Sequence, residues 1–177
     1  MLNQKEYTIS VLRANLAALI ISIPIIILSV FIFIMIWPWE VIYNALDVKL
    51  VYLLLIIVPG VFLHEFLHGF IWSLYAKKGW RSIKFGLKWS NLTPYCHCKE
   101  PLLKSPYLLG TVMPFLLMGL IPIIVSFFLG SGIILLLGIL FSISAGADLY
   151  GIWMLRKAKN GNLIQDHPDE IGFIILN

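Results

Sequence analysis

Four stretches of this chain, residues 11–37, 51–75, 108–128 and 133–155, are almost wholly apolar, and no other feature restricts the fold so strongly. At 1.5 Å per helical residue, about 20 such residues cross the hydrocarbon core of a bilayer, where a lone segment satisfies its own backbone only as a helix. Only 12% of the 177 residues are charged, roughly half the share of a soluble domain. That composition excludes a soluble globular fold, and the apolar content excludes disorder. The expectation is an all-α polytopic membrane protein, a single domain over 1–177, with four transmembrane helices and one small β-hairpin between the second and third. The first stretch follows a short polar segment (Asn3, Gln4, Lys5, Glu6) and ends at Trp37-Pro38-Trp39 without a small-residue cleavage site, so it reads as a retained span. Trp37, Trp39 and Tyr43 are placed to form an interfacial aromatic belt.

The positions of Lys and Arg set an orientation. The 77–105 connection holds Lys77, Lys78, Arg81, Lys84, Lys88, Lys99 and Lys104, and the 156–177 tail holds Arg156, Lys157 and Lys159. The connection between the first two stretches has Lys49 against Glu40 and Asp47, and Gly130-Ser131-Gly132 carries no charge. The positive-inside rule then expects the 77–105 segment and both termini in the cytoplasm of a multi-pass protein, in the plasma membrane of a prokaryote. With no separate basic domain, the net charge of +4 is not read as nucleic-acid affinity. Ile83, Phe85, Leu87 and Trp89 alternate with Ser82, Lys84, Gly86 and Lys88, a period of two that predicts a strand, followed by a turn at Ser90-Asn91 and a return over 93–98. Residues 171–176 form another strand candidate able to pair with that hairpin, and Asp166-His167-Pro168 reads as the turn before it.

Within the spans an ionisable group is expensive and marks a functional site by default. Of the acids only Glu65 and Asp148 lie there, and of the histidines only His64 and His68. His64-Glu65-Phe66-Leu67-His68 is an H-E-x-x-H motif. On a helix its two imidazoles share one face and can bind one Zn²⁺, while Glu65 reaches the zinc-bound water. The alternative is a polar cluster bonded to neighbouring helices without metal. Catalytic zinc usually takes three protein ligands, and Asp148 is the remaining carboxylate at a matching depth, since His68 and Asp148 each precede the end of their stretch by seven residues, about 10 Å. Small residues around it (Ser142, Ser144, Ala145, Gly146, Ala147, Gly151) favour close helix approach. Pro59-Gly60 is placed to loosen the second span and admit water. Cys96 and Cys98 are too close in sequence for an unstrained disulfide. His97 is either a donor to a developing oxyanion or an interfacial hairpin residue.

H-E-F-L-H-G, P-Y-C-H-C-K-E-P-L, the M-P-F of the third span, G-A-D in the fourth and the D-H-P-D-E-I-G-F tail together resemble a small family of zincin peptidases of unknown physiological role. An H-E-x-x-H in one span with an Asp in a later one is also similar to the site-2 protease class of intramembrane zinc metalloproteases. The resemblance, over residues from about 50 to 175, implies His64, His68 and Asp148 as metal ligands and Glu65 as catalytic acid/base. It departs from the site-2 pattern in that Leu149 follows Asp148 where that class typically has Gly.

The expected function is a membrane-embedded zinc metallopeptidase that hydrolyses a peptide bond near the cytoplasmic face through a zinc-bound water, on a membrane-anchored protein or peptide. By analogy, the 83–97 hairpin presents an edge to an extended substrate. The rival readings are a non-hydrolytic membrane metal-binding or transport protein and an inactive zincin-like scaffold.

Overall fold

A computed structural model describes residues 4–89, 93–168 and 170–176. The chain begins with strand β1 (Gln4–Ile9) and enters the long helix α1 (Val11–Ile36), whose first turn is capped by the Ser10 hydroxyl. A short helix α2 (Trp39–Ala45) leads to α3 (Leu50–Tyr75). Then come the hairpin β2 (Ile83–Lys88) and β3 (Thr93–Cys98), the two-residue strand β4 (Leu102–Leu103) and helix α4 (Lys104–Pro114). One π turn over Phe115–Leu120 joins α4 to α5 (Ile121–Leu129), keeping Lys104–Leu129 one continuous span. Helices α6 (Gly132–Ser144) and α7 (Gly146–Met154) precede β5 (Leu163–Asp166) and β6 (Ile171–Leu176).

The expected all-α class with four spans needs correction on both counts. Among the described residues three helices are long and apolar enough to cross a membrane, and the fourth apolar stretch is a pair bent by 45° at Ala145. The bend has a packing cause: the start of α7 lies against α1 so closely that a Cβ on Gly146 would sit 2.7 Å from the Ala18 Cα. Among the described residues six strands form two antiparallel sheets, with 18% of those residues in strands. The hairpin β2–β3 is present, with Ile83 opposite Cys98 and Lys88 opposite Thr93; its expected turn at Ser90-Asn91 lies outside the described residues. Strand β6 does not pair with the hairpin. It sits between β1 and β5 in a sheet of order β1-β6-β5-β4, which joins the two ends of the chain.

α1 shows what surrounds the bundle. Its most apolar window has a mean hydropathy of 3.1 yet only 17% of it is buried against protein, so its remaining surface needs apolar surroundings. Leu19, Ile20, Ile27, Leu28 and Met35 all face outward. Inside, α3 packs on α4, and α1 packs on α7. One core cluster (Phe33, Ile42, Ile123, Leu135, Ile139) fills the end near α2. A larger one (Trp72, Cys98, Tyr107, Leu155, Ile164, Phe173, Ile175) seats the four-stranded sheet on the ends of α3, α4 and α7. Between them Phe141 packs with Leu67 and Met118, its ring occupying the space left by Gly60. α3 runs unbroken through Pro59, so Pro59-Gly60 serves contact with α6 rather than an opening in the helix.

Gly172 holds the terminal sheet together. Its φ of +146° suits glycine, and a Cβ there would collide with the Tyr7 carbonyl oxygen across the β1–β6 pair. Gly172→Ala is expected to cost about 2 kcal/mol or more. Denaturant titration of the detergent-solubilised protein measures this, with faster proteolysis of residues 163–176 as the local sign.

Candidate metal centre

α3 sets the first part of the site. Residues four apart face the same side of a helix, so His64 and His68 project together into the interior, 7% and 5% exposed. Their ring centroids are 5.0 Å apart, edge to face. Asp148 enters from α7, in its first turn, where the positive end of the helix dipole favours a carboxylate. His64 Nε2 lies 3.1 Å from Asp148 Oδ2, and His68 Nε2 lies 3.6 Å from Asp148 Oδ1. The two Nε2 atoms are 3.2 Å apart.

These distances fit a small cation. Zn–N and Zn–O bonds of about 2.0–2.1 Å place tetrahedral donors about 3.3 Å apart, within a few tenths of an ångström of all three separations. The tautomer of His68 agrees with this. Its Nδ1–H donates to the Gly110 carbonyl at 2.9 Å, which leaves the Nε2 lone pair facing His64 and Asp148. Among the described residues, His64, His68 and Asp148 are the one group whose donor atoms all lie within 4.8 Å of one another. His64 Nδ1 is buried with no hydrogen-bond partner there.

The sequence reading missed what holds His68. Trp72, a further four residues along α3, stacks on the His68 ring at 5.3 Å and 19°. On its other side Trp72 stacks on Tyr107, also at 5.3 Å, and its Nε1–H donates to the Tyr107 carbonyl at 3.1 Å. Gly110 admits this indole, since a Cβ there would collide with it. The same α4 turn therefore supplies the carbonyl that orients His68 and the gap that lets Trp72 lie against it. The continuing i, i+4 spacing from His64 to Trp72 was the available signal; nothing local marks Gly110 or Tyr107.

Glu65 is half-buried beside the histidines, and the backbone N–H of Cys96 on β3 faces its carboxylate. The next outward N–H on that strand, Cys98, points at Asp166 Oδ2, 3.4 Å away, and the Cys98 carbonyl accepts from Gln165 Nε2 at 3.2 Å. Pro94 has no N–H to offer. The edge of β3 nearest the site is thus capped by side chains, and an extended peptide pairing with it as expected would have to displace them. His97 is not aimed at the metal group by any contact here; its Nδ1 lies 3.1 Å from Asp166 Oδ2. Asp166 is the last residue of β5 rather than a turn residue, and it is His167 Nδ1 that accepts the Glu170 N–H in the following turn, at 2.9 Å.

Burial pushes the Cys96 thiol far above its usual range, with Glu65 and Asp166 adding to the effect, and burial also raises Cys98. The thiolate is the reactive form, so a raised pKa means low reactivity at neutral and mildly alkaline pH. In the folded protein Cys96 is expected to react with iodoacetamide at pH 8 at least about tenfold more slowly than an unperturbed thiol of pKa near 8.5, and Cys98 also more slowly than such a thiol. Mass spectrometry of timed aliquots, with and without denaturant, measures this.

No curated protein and no solved structure matches the chain. A family model does, over residues 57–163, a segment that contains most of α3, including the H-E-x-x-H motif, the hairpin and α4 to α7. Its description is "Putative zincin peptidase", and because the match covers more than half of the sequence, the chain belongs to that family.

Proposed function

We propose that this protein is a membrane-embedded zinc metallopeptidase of site-2 protease type, which hydrolyses a peptide bond of a membrane-anchored protein near the cytoplasmic face of the bilayer. The observation that carries the reading is the convergence of His64, His68 and Asp148 at zinc-like spacing, in a bundle whose helices are otherwise apolar. His64 and His68 would hold the ion through Nε2 and Asp148 through its carboxylate. Zinc, when bound, supplies a Lewis acid that acidifies water and polarises a carbonyl. Family membership supports peptidase chemistry over simple metal storage.

Glu65 is the general base in this reading. Sitting next to His64 on α3, it takes a proton from the attacking water as the C–O bond forms at the scissile carbonyl. It returns that proton to the amide nitrogen as the C–N bond breaks. The Cys96 N–H on β3 faces the carboxylate. Gly110 and Trp72 stop His68 from rotating, so the donors do not have to reorganise when the ion binds. Lys77, Lys78, Arg81, Lys84 and Lys88 follow directly on α3, which supports a cytoplasmic location for that end of the helix and for both termini. The site then opens near the inner face of the membrane, where the end of a substrate helix unwinds into an extended strand.

Two variant sets test this. Glu65→Gln is expected to retain bound zinc at wild-type stoichiometry and to lower kcat on a membrane-anchored reporter by about 10³-fold or more. Hydrolysis that survives this change removes Glu65 from the mechanism. His64→Ala and Asp148→Ala are each expected to lower zinc affinity by about 10²-fold or more, read by metal analysis after dialysis against a weak chelator. Wild-type zinc content in either variant overturns the three-ligand site, and zinc binding with no Glu65-dependent hydrolysis turns the reading to a non-hydrolytic metal-binding protein.

A further inference from the structure

Asp166 lies outside the ligand set and the general base, yet its carboxylate collects three donors from two separate parts of the fold. Oδ2 lies 3.1 Å from His97 Nδ1 and 3.4 Å from the Cys98 backbone N, and Oδ1 accepts the Tyr107 hydroxyl at 3.0 Å. The His97 and Asp166 side chains are only 17% and 16% exposed. The residue before it joins the same contact, with Gln165 Nε2 donating to the carbonyls of Cys98 and Lys99 at 3.2 and 3.1 Å.

These bonds add to the packing that holds the hairpin, in which Ile83 and Cys98 are buried in the larger core cluster. β2 and β3 form a two-stranded sheet with no backbone ladder to the four-stranded one, and an isolated two-stranded hairpin is marginal. One face of it packs on α3, where Phe85, Ile83 and Cys96 surround Gly69. Carboxylates face its free edge at successive outward positions, Asp166 at the Cys98 N–H, 3.4 Å away, and Glu65 at the Cys96 N–H, whose residue packs on Gly69 one turn along α3 from Glu65. The two positions are about 6.8 Å apart along the strand. A slip of β3 along its axis therefore moves the N–H that faces Glu65.

We propose that Asp166 is a positioning residue for Glu65, acting through the register of β3, so that the C-terminal strands form part of the catalytic apparatus. The proposal rests on the reading of Glu65 as general base. It assigns the tail a role in turnover rather than in metal binding, since no ligand side chain touches Asp166.

The test uses the full-length protein in detergent or liposomes, with Asp166→Ala compared with wild type and Glu65→Gln. Asp166→Ala is expected to keep its zinc and its KM while kcat falls by about tenfold or more, the scale on which small misplacements of a catalytic group act. It is also expected to raise the iodoacetamide reactivity of Cys96 by about tenfold, as β3 lifts from Gly69. A kcat within about twofold of wild type, or a Cys96 still as protected as in wild type, overturns the proposal. Should Asp166→Ala lose its zinc and fail to fold, Asp166→Asn decides. Its amide cannot replace both carboxylate oxygens, so kcat is expected to drop by roughly threefold or more at unchanged KM, and wild-type kcat overturns the proposal. Cys96 protection is read without turnover. If wild type shows no Glu65-dependent hydrolysis, the peptidase reading falls, and protection lost in Asp166→Ala still supports the hold of Asp166 on β3 while unchanged protection still refutes it.

Discussion

A carboxylate and two imidazoles placed among apolar helices cost several kcal/mol per charge unless partners compensate them. Much of the architecture answers that demand. Asp148 has both histidines within 3.6 Å and sits in the first turn of α7, where unpaired backbone N–H groups favour negative charge. His68 has a carbonyl for its Nδ1 and an aromatic face for its ring. Each solution requires two helices to come unusually close, which is why glycine stands at the contacts: Gly110 against Trp72, Gly60 against Phe141, Gly146 against Ala18. Without solvent to drive helices together, membrane interfaces depend on such small residues.

The same demand made the centre legible in the sequence. In a soluble protein His, Glu and Asp are common and a five-residue motif says little. In spans built from Leu, Ile, Val and Phe only four acids and histidines remained, and the helical repeat put two of them on one face. Counting residues back from the ends of two stretches then placed Asp148 level with His68. The bent α6–α7 pair was not legible, because 133–155 is uniformly apolar and the bend arises from how Gly146 meets Ala18, a contact made over more than 120 residues of sequence.

The four-stranded sheet was missed for a related reason. Gln4–Ile9 is half polar and lacks the alternation that marked Ile83–Lys88, and β4 and β5 are two and four residues long. What makes them strands is pairing between the chain's ends, Gln4 opposite Leu176 and Leu163 opposite Leu176 on its other side. Pairing of that kind leaves no mark within either segment. Asp166 was read as turn chemistry on the same local grounds, and its three donors come from residues about 60 to 70 positions away.

The sheet also bears on how Asp148 keeps its height. β1 runs into α1 within two residues, and α7 leads through a short turn to β5, so pairing β1 to β6 beside β5 fixes the ends of α1 and α7 relative to each other. The two helices also pack directly, most closely where Gly146, two residues before Asp148, lies on Ala18. Held in this way, α7 has little freedom to slide along α1, and a one-residue slide of about 1.5 Å would shift the carboxylate relative to both imidazoles. α3 and α4 are locked independently by the Trp72, Tyr107 and Gly110 contacts. The three-residue group thus sits where two helix pairs meet, α3 with α4 and α1 with α7, and the terminal sheet helps to hold the second pair.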